Sequence, residues 1–81
     1  MPYIPFERRV LISLDGHAPQ TVGELNYAIT DQCLRFLQRE DASYANINDV
    51  IGALECAKLE LYRRVAVPYE DEKCKQNGDV Y

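Results

Sequence analysis

Few side chains in this sequence can do covalent or metal chemistry, and none of them stand in a pattern that such chemistry needs. The one histidine, His17, lies in a loop between Gly16 and Pro19. A zinc site takes three or four nitrogen, sulfur or carboxylate ligands at suitable spacing. Here no second histidine exists and no cysteine stands close to His17 in sequence. The cysteines Cys33, Cys56 and Cys74 are odd in number and include no C-x-x-C pair. A Cys–His nucleophile would require His17 to meet one of them in space, and nothing in the sequence calls for that. The acidic run Glu70, Asp71 and Glu72 resembles a solvated helix start more than a general acid–base pair. Gly23 is no part of a phosphate-binding loop, since it falls inside a helix-capping turn. The expectation is a non-enzymatic protein with no metal and no cofactor.

One constellation suits binding. Arg63 and Arg64 are adjacent, Tyr69 follows, and Arg8 and Arg9 join them if the N-terminal helix packs near that end. A guanidinium grips phosphate or carboxylate with a two-pronged fork, and a tyrosine ring stacks on bases. The candidate ligand-binding set is therefore Arg63, Arg64, Tyr69 and Arg8, for a small anion. The competing reading is structural: arginines in the last turn of a helix complement its dipole, and Tyr62 and Tyr69 can simply pack.

The elements that position these residues are helices. Pro5 suits the first turn of a short helix in which Phe6, Val10 and Ser13/Leu14 share a face. The run "DGHAPQ" breaks it. Thr21 and Glu24 then form a T-x-x-E capping box. Val22, Leu25, Ile29, Cys33 and Phe36/Leu37 recur at helical steps, while Tyr27 and Leu34 lie on a second stripe. A helix apolar on two sides needs packing on two sides, from a second copy or from the N-terminal arm.

After the polar connector "QREDASYAN", Asn46 is the expected N-cap of the next helix, with Asp49 in its first turn. Its apolar stripe is Ile47, Val50, Ile51, Leu54, Ala57/Lys58, Leu61 and Val65. Gly52, Ala53, Cys56 and Ala57 are small, and close packing at Gly52 would offset a helix-interior glycine's cost of about 1 kcal/mol. Pro68 should end this helix. The segment "YEDEKCKQNG" makes a short turn stopped at Asn77-Gly78. The expected fold is all-α: an antiparallel hairpin of helices over 21–39 and 46–66, a short N-terminal helix and an ordered C-terminal tail, in one domain over 1–81.

Composition narrows the partners. At 81 residues, 47% of them hydrophobic, the chain builds one thin core near the lower size limit for stability. A net charge of −4 argues against duplex nucleic acid, which demands a basic face. Six tyrosines and no tryptophan favour half-buried surfaces or interfaces. The N-terminus "MPYIPFERR" has no apolar run suited to a signal peptide, nothing is long enough to span a membrane, and the cysteine usage implies a reducing cytoplasm.

The opening "MPYIP" and the segments "GELNYAIT" (23–30), "INDVIGALECAKLELYRR" (47–64) and "PYEDEKCKQNGDVY" (68–81) resemble a family of small uncharacterised proteins of bacterial genomes and phages. The resemblance spans most of the chain outside residues 9–20. It implies a domain of unknown function, acting in the host cytoplasm where a phage encodes it. The expected function is a non-enzymatic oligomeric binding protein, most simply a two-fold dimer forming a four-helix bundle, that sequesters a small nucleotide-like anion. The alternative is a structural or accessory subunit that binds only protein.

Overall fold

A computed structural model describes residues 3–40 and 42–81. Met1 and Pro2 of the N-terminal arm, and Asp41 of the polar connector, lie outside the described residues. The fold is all-α. Helix α1 is Phe6–Asp15, α2 is Val22–Glu40, α3 is Tyr44–Leu61 and α4 is Val67–Asn77, with a π-helical turn Tyr62–Ala66 joining α3 to α4. Among the described residues there is no strand. The chain divides into two compact units, Met1–Asn46 and Ile47–Tyr81.

In the first unit, Pro5 stands at the N-cap of α1, and its carbonyl accepts from the N–H groups of Arg8 and Arg9, each at 3.1 Å. Gly16 closes the helix in the left-handed conformation, φ 68°, and the His17 N–H donates back to the Leu11 carbonyl at 3.1 Å. Only glycine takes that conformation without a Cβ penalty. The "DGHAPQ" break is thus a built helix stop.

Helix α1 packs on α2 through polar anchors. Arg8 meets Glu24, the Ser13 hydroxyl meets the Tyr27 hydroxyl at 2.6 Å, and Arg35 Nη2 donates to the Ser13 carbonyl. These contacts advance along both helices in the same sense, so the extended connector at 17–20 doubles back beside α1, where Arg8 Nη2 donates to the Ala18 carbonyl at 3.5 Å. The anchors cover part of each expected face and leave the rest open. On α1 the buried residue is Ile12 and Val10 and Ser13 are half-buried, while Phe6 and Leu14 are exposed. On α2 the covered side carries Glu24, Tyr27, Ala28 and Asp31, and of the expected stripe Val22, Leu25, Ile29 and Phe36 are exposed while Cys33 and Leu37 are half-buried. Periodicity places apolar residues on a common side, but the cross-helix hydrogen bonds set how far the helix turns toward its neighbour, and part of each apolar face stays open.

The second unit lies in one near-continuous helix, whose first turn belongs to the end of the first unit. The helix starts at Tyr44, earlier than the expected Asn46 cap, because Ser43 Oγ accepts the Asn46 N–H at 3.2 Å and takes the capping role. Pro68 does not end it. The proline has no N–H for the preceding turn, and its ring crowds the carbonyl four residues back. The chain answers by widening that turn: the Val67 N–H reaches the Tyr62 carbonyl, a five-residue step, and Pro68 falls at the second position of α4. Helix α4 then runs to Gly78, at φ 81°, whose N–H donates to the Cys74 carbonyl at 2.8 Å. The last residues are exposed and outside any helix, with the Tyr81 N–H donating to Asp79 Oδ1 at 3.0 Å. A Cβ added at Gly52 would meet no atom within 4 Å, so no packing within the chain offsets this glycine.

Candidate functional site

The first anchored cluster is Arg8 with Glu24. Thr21 caps α2 as expected, its Oγ1 accepting the Glu24 N–H at 3.0 Å. The reciprocal arm of the box lands one residue early, because Glu24 Oε1 accepts the Gln20 N–H at 3.0 Å. The same carboxylate takes both prongs of Arg8, Nη2 to Oε1 at 2.6 Å and Nε to Oε2 at 3.1 Å. Glu24 is only 6% exposed. The hydrogen bond from Arg8, then the Gln20 N–H, holds its carboxyl below the ordinary carboxylate value, and Glu24 in turn raises the Arg8 guanidinium. Arg8 is therefore occupied within the first unit.

Arg63 and Arg64 lie in the π turn, and both ion-pair with one carboxylate, Glu60, one turn earlier. Their side chains stay 73% and 75% exposed. Tyr69 follows on α4, where Lys73 Nζ sits 5.7 Å from its ring centre, and the Tyr62 hydroxyl donates to Glu70 Oε1 at 3.4 Å. Two guanidinium groups sharing one carboxylate carry a surplus positive charge. A phosphate or carboxylate can compete with Glu60 for them, since exposed pairs are weakly held. Arg63, Arg64 and Tyr69 thus belong to one unit, and Arg8 to the other.

The π turn was not expected from the sequence. Pro68 following an unbroken helical pattern was its available signal, because a helix that continues through proline must dilate or kink upstream. Such turns are frequent at functional sites.

The larger feature is apolar. Leu61, Tyr62, Val65, Ala66 and Tyr69, together with Lys58 and Glu70, line one groove that runs along the helix across the π turn. Ile47, Ile51 and Leu54 upstream of it, like Leu61 and Val65 within it, are each between 36% and 64% exposed. Of the six tyrosines, only Tyr27 is half-buried, and the other five are more than half exposed. The remaining chemistry-bearing groups are dispersed. His17 is exposed, and Cys33, Cys56 and Cys74 are all free thiols. Among the described residues, no group of three His, Cys, Asp or Glu side chains is placed to hold a metal, and no helix is long and apolar enough to cross a membrane.

Fold and site together define a small all-α protein built on capped helices, one of them long, with apolar residues and an arginine pair open to solvent. The chain belongs to a family described as a domain of unknown function, DUF6899, whose model matches residues 1–80. No curated protein and no solved structure matches it.

Proposed function

We propose that this chain is a non-enzymatic oligomeric binding protein, active in the cytoplasm, whose working surface is the helix running from Tyr44 to Asn77. One observation carries the reading: the apolar side chains of Ile47, Ile51, Leu54, Leu61 and Val65 lie uncovered along that helix. Contiguous exposed apolar surface of this kind marks association. The five exposed tyrosines support it, since tyrosine tolerates both a wet and a buried face. The expected assembly is a two-fold dimer that closes the helices of both copies into a bundle. An antiparallel hairpin within each copy is part of that proposal. Light scattering at tens of micromolar checks it, and a monomer at that concentration overturns it.

Within the same reading, Arg63 and Arg64, with the Tyr69 ring, make the subsite for a small anionic ligand of nucleotide type. The observation in favour is their shared partner, since one carboxylate for two guanidinium groups leaves charge for an incoming anion. Arg8 is held by Glu24 within the first unit. A thermal-shift screen with mononucleotides and cyclic nucleotides tests this, because a ligand that binds only the folded state raises the melting temperature. No shift with any nucleotide, combined with a stable dimer, leaves the alternative of a structural subunit that binds protein alone.

A further inference from the structure

Resting on the oligomer reading above, we propose that the partner of the Ile47–Val65 face is a second copy of this helix running antiparallel. Ile47, Ile51, Leu54, Lys58, Leu61 and Val65 follow one another at steps of four, three, four, three and four. From Ile47 to Leu61, within α3, that is the spacing of a coiled-coil seam over about two heptads, and Val65 extends it into the π turn. Every member but Lys58 is apolar, and all are open to solvent in this chain.

Lys58 sets the orientation. In a parallel pair about a two-fold axis, each seam residue faces its own copy, so Lys58 would lie against Lys58, two like charges in a desolvated strip. In an antiparallel pair centred on residue 56, Ile47 faces Val65, Ile51 faces Leu61 and Leu54 faces Lys58. Antiparallel helices also bring the same flank of each copy together. Glu55 stands on the flank toward which Lys58 leans, and already pairs with it at 3.0 Å within the helix. The Glu55 carboxylate of the second copy then lies beside each lysine. A single polar residue in a seam is a known device for selecting register and orientation. The face is thus complementary in charge to itself, but only when reversed. Gly52 and Cys56 lie on the opposite side of the helix and take no part in this seam.

The test uses the full chain with Cys33, Cys56 and Cys74 replaced by serine, and two further variants of it, Ile51→Cys and Leu61→Cys. Both positions are exposed, so neither substitution opens a core. In the antiparallel register residue 51 of one copy meets residue 61 of the other. The two copies of residue 51 lie about 15 Å apart along the axis, at a rise of 1.5 Å per residue. Mixing the two variants with a short bis-maleimide should yield a mixed bridged dimer at least tenfold more abundant than either self-bridged one. Bridging of Ile51→Cys with itself overturns the antiparallel pairing while the oligomer reading stands. A dimer that bridges in no combination, also with the pair Ile47→Cys and Val65→Cys, overturns the seam as the interface. A chain that scatters light as a monomer throughout overturns both, and leaves the face to some other protein. Circular dichroism of each variant shows that the helix is retained.

Discussion

Replacing Gly52 by alanine reports directly on which side of the long helix is used. Gly52 lies in the interior of α3, and a Cβ built there has open space around it. Glycine in a helix interior costs about 0.8–1 kcal/mol relative to alanine, because it loses more backbone freedom on folding. With no neighbour to clash with, Gly52→Ala should recover most of that amount. For a domain of this size, 1 kcal/mol corresponds to a rise of about 4–8 °C in melting temperature. With a urea slope of about 1–3 kcal/mol per molar, the unfolding midpoint should move up by about 0.3–1 M. Thermal and urea unfolding followed by circular dichroism measure both. The seam on the other side of the helix requires this gain to persist when the chain dimerises. A lower melting temperature would refute the reasoning. It would mean that a neighbouring backbone rests on Gly52, Ala53 and Cys56, and that the small face, not the Ile47–Val65 face, is the one packed.

Four other outcomes follow from the first unit and the π turn. Tyr27→Phe removes the 2.6 Å bond to the Ser13 hydroxyl and should cost about 0.5–1.5 kcal/mol in urea unfolding, with Ser13→Ala adding little on top of it. Glu24 has a depressed carboxyl in the folded state, so its contribution is present above the ordinary value of 4.5 and is lost as pH falls through the lower folded value. The acid limb of stability against pH should flatten in Glu24→Gln, and an unchanged limb would show that another carboxylate carries it. Thr21→Ala should lose about 1 kcal/mol of stability and keep any anion binding. Arg64→Ala should shift stability by only a few tenths of a kcal/mol, about the worth of an exposed pair, and abolish anion binding. Equal destabilisation by the two would make the arginine pair structural.

What the sequence determined by itself is local. Thr21 three residues before Glu24, and the glycines after Asp15 and Asn77, place helix ends within a residue or two, because caps are interactions between near neighbours. The all-α class and family membership were legible for the same reason, and the arginine pair stood out because its residues are adjacent. Ser43 against Asn46 was a choice between two good caps that spacing alone leaves open. Tertiary structure decided which face is used. Helix α2 has apolar residues on two sides, and periodicity assigns residues to sides without saying which side acquires a partner. The side was selected by Arg8 on Glu24, sixteen residues apart, and by Ser13 on Tyr27, fourteen apart. Pro68 teaches the same lesson within one helix. Its local chemistry demands a break, but a single widened turn satisfies that demand and lets the apolar face continue to Tyr69. A break and a dilation relieve the same clash, and only the arrangement of the surrounding backbone separates them.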